Sequence, residues 1–171
     1  YFLNEALDED ETLRIDIFDA NNQLLRTLSS SASAFEKCAK GNEDIRSPLK
    51  FTHPSTDAGF NTFEWDLRRQ PLNCIDNVTL FGGWNGARVM PGEYKATITV
   101  GDVSQTRPFN VLPDPRENTQ PAELQKVEQS IQASEDVLNE LFAHLQKARD
   151  VRDRLKHCLL YTSDAADELS C

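Results

Sequence analysis

Residues 59–68, with the sequence GFNTFEWDLR, and residues 89–94, with the sequence VMPGEY, decide which fold class the chain belongs to. Apolar and polar side chains alternate in residues 63–67 and again in residues 94–100. A period of two places one apolar face on each of two β-strands. The Pro-Gly pair favours a tight turn just before the second strand. These segments predict a β-sheet core, and neither of them carries a catalytic motif.

The rest of the N-terminal region continues this alternation and is divided by turn-forming residues. The sequence predicts strands at residues 1–3, 12–18 and 23–28, around Trp65, and at residues 94–100 and 104–112. Turn residues at 19–22 and the Gly101-Asp102 pair are typical of hairpin connections. The expected core side chains are Leu13, Ile15, Ile17, Phe63, Trp65, Tyr94, Ile98, Phe109 and Val111. Short strands separated by turns are typical of an immunoglobulin-like antiparallel β-sandwich, which is therefore predicted for residues 1–112.

After the last strand the pattern changes from sheet to helix. Pro113 and Pro115 end the sheet because proline cannot donate a ladder hydrogen bond, and residues 113–120 are predicted to be a linker. Residues 121–157 contain no glycine and no proline after the first position, and their apolar residues recur at spacings of three, four and seven. The predicted fold class is therefore mainly β with α, a sandwich followed by one long C-terminal helix.

We expect this helix to stand largely apart from the sandwich, with only its first turns near the sheet. An amphipathic helix needs a partner to bury its apolar stripe. The expected partner is an antiparallel helix that follows it in a longer protein. The side chains expected to remain uncovered are Leu138, Leu141, Leu145 and Leu155.

The last residues, 158–171, are set apart from the fold. The stretch CLLYTSDAADE, which begins at Cys158, resembles the translation of a sequencing adapter at the end of a DNA fragment. It is treated as a non-native tail, as an expression scar would be. A genuine polar tail is the alternative. The chain also begins with Tyr1 rather than methionine, which fits a piece of a longer protein.

The charge balance limits the class of partner. The whole chain has a net charge of −10, and without Asp164, Asp167 and Glu168 of the tail it has 18 basic and 25 acidic side chains, a net of −7. A nucleic-acid-binding surface needs clustered Lys and Arg, so the acidic balance argues against DNA or RNA as a partner. The sequence has no P-loop, and no apolar run approaches the roughly 18 residues that suggest a membrane span.

Two cysteines remain once the tail is excluded. Cys38 and Cys74 each lie in a polar connection, and neither belongs to a pair with metal-ligand spacing. They are candidates to form one disulfide with each other, which would indicate an oxidising compartment. The alternative is two unrelated thiols.

Candidate ligand-binding residues are few. Trp84 and Phe81, in a glycine-rich loop, are candidates to stack on a sugar ring, and the alternative is a loop that caps the sandwich. Residues 8–11 are all acidic, as a Ca²⁺ site would require, but they lack the ligand spacing and glycine of a calcium loop, so a solvated turn is expected. No catalytic, cofactor-binding or metal-binding residue is assigned, because no acid–base or nucleophile constellation is present.

Three motifs together resemble a known module. They are the Asn-x-Phe-x-Trp-Asp-Leu-Arg stretch at 61–68, the Pro-Gly-x-Tyr turn at 91–94 and the Asp-Pro-Arg exit at 114–116. The chain resembles the C-terminal part of bacterial secreted proteins built on BNR-type, sortilin-like β-propellers, which are often labelled glycosyl hydrolases. The opening YFLNE, the LRIDIFD segment at 13–19 and the LFGG segment at 80–83 are similar to the same family. The sandwich is similar to the immunoglobulin-like domain of the flagellar hook-capping family.

This resemblance implies a propeller that precedes Tyr1 and carries any catalytic residues of the parent protein. It implies a non-catalytic accessory domain, without a cofactor, that packs against the propeller or spaces it. The parent would be exported, either to the periplasm, to the outer membrane or to the medium. The alternative function is a carbohydrate-binding module that uses Trp84 and Phe81. Residues 29–58, which include Cys38, depart from the shorter connection of the family.

Overall fold

The fold consists of antiparallel β-sheets followed by one long C-terminal helix. The computed structural model describes residues 1–32, 52–75, 78, 84–116 and 120–167, with helix side chains from 122 to 158. Its elements are β1 (Phe2–Leu3), β2 (Leu13–Asp19), β3 (Leu24–Ser29), β4 (Gly59–Phe60), β5 (Gly92–Val100), β6 (Val103–Val111) and α1 (Pro121–Asp167). One sheet has four strands in the order β3-β2-β5-β6, and the other pairs β1 with β4.

Both predicted hairpins of the large sheet are confirmed, and local turn chemistry explains each one. Between β2 and β3, the Asp19 carboxylate accepts hydrogen bonds from the backbone N–H groups of Asn21 at 2.9 Å and Gln23 at 2.7 Å. Asn22 adopts the left-handed conformation that this turn requires, with φ of 64°. Between β5 and β6, Gly101 has φ of 53°, which a two-residue hairpin favours and glycine permits.

The core lies on one face of the four-stranded sheet. Its buried members are Ile17, Leu25, Val89 and Tyr94, and Ile15, Trp65, Ala96, Phe109 and Val111 pack against them while partly exposed. Most of the predicted core residues belong to this cluster. Leu13 is also fully buried, whereas Phe63 and Ile98 are partly exposed. Three aromatic rings form the centre, with Trp65 6.2 Å from Tyr94 and 6.1 Å from Phe109 between ring centroids.

The strand predicted around Trp65 is wrong. Residues 61–67 form no strand, and only an isolated bridge joins Arg68 to Arg88. Two local interactions bend the backbone here: the Trp65 indole N–H donates to the Arg68 carbonyl at 3.0 Å, and Asp66 accepts from the Arg68 backbone N–H at 3.1 Å. Leu67 adopts a positive φ of 58°, which is incompatible with a strand. The segment still places the Trp65 ring in the core.

The small sheet ties the start of the chain to the segment before Trp65. Phe2 pairs with Phe60, and Leu3 pairs with Gly59. The Tyr1 hydroxyl donates to the Ser55 carbonyl at 2.6 Å, which fixes the first residue beside this sheet. The strand predicted at residues 1–3 is present as Phe2–Leu3, and it pairs with β4 rather than with a strand of the large sheet.

The helix begins as its sequence predicts and is longer than predicted. Glu123 accepts a hydrogen bond from the Gln120 backbone N–H at 3.2 Å, and Pro121 occupies the first helical position, where its missing N–H costs nothing. The helix has 47 residues, a length of about 70 Å at 1.5 Å per residue. It continues to Asp167, through part of the segment that resembles adapter sequence.

Replacing Leu13 with alanine should lower the free energy of unfolding by about 2–5 kcal/mol, because a fully buried leucine leaves a cavity in the core. Leu13 is 0% exposed, whereas Leu112, just after β6, is 79% exposed. The matched control Leu112→Ala should therefore stay within about 0.5 kcal/mol of the wild type. Chemical denaturation of both variants measures the difference, and equal effects would show that the inward face of the sheet is misassigned.

Candidate functional site

A buried arginine joins the helix to the connection between Trp65 and β5. Arg69 is 4% exposed, and one of its terminal nitrogens lies 2.7 Å from a carboxylate oxygen of Glu128 on α1. Its Nε atom lies 3.7 Å from the Glu135 carboxylate, one heptad further along the same helix face. A buried cation needs such partners, because removal from water penalises its charge. Arg69 therefore hydrogen-bonds to the helix at Glu128 and lies within ion-pair distance of it at Glu135.

Three further hydrogen bonds hold the same face of the helix. Glu135 also accepts from the Ala87 backbone N–H at 3.1 Å. Asn139 accepts from the Asn73 backbone N–H at 2.9 Å. Earlier on the helix, the Gln132 side chain donates to Gln23 in the β2–β3 turn at 3.3 Å. The first two of these side chains satisfy loop N–H groups that have no strand partner, so the loop depends on the helix for its hydrogen bonding.

An apolar cluster continues this contact towards the C-terminal half of the helix. Its buried members are Leu72, Ile75, Trp84 and Phe142, and Cys74, Val78 and Leu138 pack against them. The Trp84 and Phe142 rings are 5.5 Å apart between centroids and tilted by 53°. The expectation that the helix stands apart from the rest of the chain is thus wrong between residues 128 and 142. Apolar loop residues without any periodicity supply the surface that it needs.

The exposed part of the apolar stripe matches the sequence expectation in three of four positions. Leu141, Leu145 and Leu155 are exposed in the structure. Leu138, also expected to be uncovered, packs against the Trp84 cluster instead. The reason is rotational: Leu138 lies one turn before Phe142 on the same helix face, so it reaches the loop that Phe142 contacts.

The candidate glycan-stacking residue Trp84 lies inside this cluster. Its side chain is 3% exposed and is covered by Phe142, so a sugar ring has no open indole face to stack on. Phe81, the other candidate, lies outside the described residues. Cys74 is disulfide-bonded. Its predicted partner Cys38 lies outside the described residues, so the pairing of these two cysteines stays a prediction.

An open groove of about 540 Å³ runs between α1 and the chain before β5. Its lining includes Leu72, Val127, Ile131 and Leu138, with charged groups at its edges. Gly86 forms part of the wall, and a Cβ atom there would lie 2.4 Å from the Arg69 and Gln70 carbonyl oxygens. Only glycine therefore permits this close approach of two backbone segments.

The docked helix also alters the electrostatics of the sheet core. Burial raises the pKa of the Tyr94 hydroxyl above its ordinary value of 10.0, and the nearby Glu128 carboxylate adds to the shift. The neutral hydroxyl donates to the Met90 carbonyl. Because the folded state holds this proton more tightly, the stabilisation is complete below the ordinary tyrosine pKa and is lost as the pH rises through the raised pKa.

The described residues offer no metal-binding cluster of three or more His, Cys, Asp or Glu side chains. In the acidic segment, the Asp8 backbone N–H donates to the Glu11 carboxylate at 3.1 Å, and the Glu11 N–H donates to the Asp8 carbonyl at 3.0 Å. These bonds close a turn. Within the described part of the chain, no helix is both long enough and apolar enough to cross a membrane.

Comparisons of the chain with protein-family models, with curated proteins and with solved structures found no significant match. The resemblance to propeller-associated modules therefore rests on the quoted motifs alone. The contacts of α1 with Arg69 and with the Trp84 cluster, in contrast, are observed in the structure and were not predicted from the sequence. One signal for it was present, because Glu128, Glu135 and Phe142 recur every seven residues and so share one helix face.

Replacing Phe142 with alanine should lower the free energy of unfolding by about 3–5 kcal/mol, because a buried aromatic side chain is lost. Its neighbour Leu141 is 56% exposed, so Leu141→Ala is the matched control and should change stability by less than about 0.5 kcal/mol. In a Trp65→Phe background, Phe142→Ala should also shift Trp84 fluorescence to the red, because water reaches the indole. An unshifted spectrum would contradict the contact.

Replacing Arg69 with methionine should lower the free energy of unfolding by about 3 kcal/mol, because it leaves two carboxylates without their buried cation. The helix segment that contacts Arg69 should then exchange its amide hydrogens faster than in the wild type. Arg152, which is exposed and pairs with Asp153 at 2.8 Å, provides the control variant Arg152→Met. Equal protection of residues 121–142 in the Arg69 variant and the wild type would show that other contacts hold the helix.

Proposed function

We propose that this chain is a non-catalytic accessory domain of an exported protein that carries a BNR-type, sortilin-like β-propeller of the kind often labelled a glycosyl hydrolase. Its role is to pack against that propeller or to space it from a further partner. The quoted motifs carry the association with a propeller, and the fixed helix is the structural observation that supports the spacer role. A helix held by Arg69 and Phe142 to its own sheet domain continues beyond the contact through residues 143–157, and such an extension suits a spacer.

Two observations support an immunoglobulin-like sheet domain of the expected type. The large sheet is antiparallel, and tight hairpins join β2 to β3 and β5 to β6. The Tyr94 hydroxyl of the Pro-Gly-x-Tyr turn donates back to the Met90 carbonyl. Such a bond from a strand tyrosine to the backbone a few residues earlier is a feature of immunoglobulin-like sandwiches. The motif that suggested the family therefore has a structural role in the turn.

The disulfide at Cys74 supports export. Disulfides persist in oxidising compartments and are rare in the cytosol of most organisms. Cys74 lies next to Ile75 in the apolar cluster under the helix, so the bond adds a covalent constraint where the helix is docked. A spacer that works outside the cytoplasm gains stability from such a constraint.

The two proposed partners use different parts of the molecule. The propeller precedes the sheet domain in the chain, and an antiparallel helix covers the exposed side of α1. The carbohydrate-binding alternative requires an aromatic ring that is open to solvent, and the Trp84 ring is covered by Phe142. The accessory role is favoured for that reason.

The proposal predicts that the reading frame upstream of Tyr1 encodes repeated BNR-type blades. In the parent protein, deleting this domain should leave the turnover of a small soluble substrate unchanged, while it lowers the thermal stability of the propeller or changes the overall dimensions measured by small-angle scattering. A parent without such blades would refute the association.

A glycan array probed with the chain itself separates the accessory role from sugar binding. The accessory role predicts no binding above background for the wild type. Binding that disappears in Phe81→Ala, with an unchanged melting temperature, would instead establish a carbohydrate-binding module. Phe81 is the appropriate site for this variant, because a change at buried Trp84 would disturb the helix contact as well.

A further inference from the structure

A second apolar stripe runs along α1 on a side that the loop does not cover. The valine and leucine side chains of this stripe are 49 to 65% exposed. We name this set of residues the seam, and it consists of Val137, Leu141, His144, Ala148, Val151 and Leu155. The seam residue His144 lies two positions after the docked residue Phe142, and since successive helix residues are rotated by about 100°, the two side chains lie on nearly opposite sides of the helix. The seam therefore faces away from the domain that holds the helix.

The spacing within the seam is that of a coiled coil. Leu141, Ala148 and Leu155 are separated by seven residues each, and so are Val137, His144 and Val151. The two series are offset by alternating steps of three and four, which is the pattern of the two core positions of a heptad. A helix with one such face uncovered is suited to pack against one other helix.

The charges on the helix change sign along its length. Residues 135–140 include three acidic and no basic side chains, whereas residues 147–156 include five basic and two acidic ones. Beside the seam, one row of flanking positions carries Glu140, Lys147 and Arg154. A helix with one acidic end and one basic end is complementary to a copy of itself running in the opposite direction.

We propose that the seam binds a second copy of this chain as an antiparallel helix pair. This deepens the proposed function by naming the helix that covers α1, and it rests on that function only for its biological role. The pair is centred at residue 146. Val137 then packs on Leu155 of the second copy, Leu141 on its Val151, and His144 on its Ala148, each contact occurring twice by symmetry.

The same register places opposite charges beside the apolar contacts. Glu140 lies opposite Arg154 of the second copy, and the symmetric pair repeats the attraction at the other end. Lys147 approaches its own symmetry mate at the centre, where Asp150, one turn along the same helix, offsets the repulsion. A parallel pair would instead align the acidic segments with each other. The antiparallel arrangement is therefore favoured by charge as well as by the heptad layers.

Charge-swap variants in sedimentation experiments test both the partner and the register. Over a concentration series the wild-type chain should form a dimer. Glu140→Arg and Arg154→Glu should each weaken dimerisation about tenfold, because two attractive pairs become repulsive. The double variant should dimerise as well as the wild type. An equimolar mixture of the two single variants should also dimerise, because the antiparallel register then places the new arginine of one chain opposite the new glutamate of the other.

The control variant is Lys156→Glu, a charge reversal at an exposed position outside the seam and its flanking row, which should leave dimerisation unchanged. Circular dichroism of each variant verifies that the helix is intact. A wild-type monomer throughout the series would overturn the proposal, as would a dimer that neither single swap weakens or a double variant that stays monomeric. Each of these results leaves the accessory role intact, whereas an upstream frame without propeller blades would refute that role and leave the dimer standing.

Discussion

The described structure depends on the burial of Arg69. Its guanidinium lies between Glu128 and Glu135, and its backbone is held just as closely, because the Arg69 N–H donates to the Ala87 carbonyl at 2.8 Å. The next residue, Gln70, donates to the Leu25 carbonyl of β3 at 2.6 Å. One short segment therefore bonds to the sheet on one side and to the helix on the other. It therefore connects the helix to the sheet, in addition to the contacts that Gln132, Asn139 and Phe142 make.

The sequence predicted the large sheet because its information is local. The alternation in β2, β5 and β6 and the turn residues at Asp19 and Gly101 act within a few positions of each other, so they need no distant partner to be recognised. The same alternation gave a wrong prediction of a strand around Trp65. There, the Asp66 side chain offers the backbone a competing hydrogen bond, and Leu67 takes up a left-handed conformation. Local turn chemistry thus overrode a strand pattern that was equally clear.

The candidate site was only partly predictable, because the helix has a recognisable sequence pattern and the loop surface that it packs on has none. The helix was evident from the absence of glycine and proline. The surface it packs on combines Leu72, Ile75 and Trp84, whose spacing follows no secondary-structure period. Such a surface is recognisable only once the chain has folded back on the helix. The sequence could not show the burial of Trp84 for the same reason, since its cover comes from Phe142, far away in sequence.

The docking of the helix face that carries Glu128 and Phe142 makes the seam on the other face better suited to bind a partner helix. A free amphipathic helix would lose conformational freedom on binding a partner, and that loss would weaken the complex. In this chain, Arg69 and the Trp84 cluster already order the helix from Glu128 to Phe142, so part of that entropic cost is incurred on folding. The adjacent residues Leu141 and Phe142 lie on different faces of the helix, because Leu141 is exposed and Phe142 is buried against the loop. A stripe that would otherwise be an aggregation risk becomes an ordered surface with a defined direction, and its heptad spacing and charge gradient restrict which helix fits it.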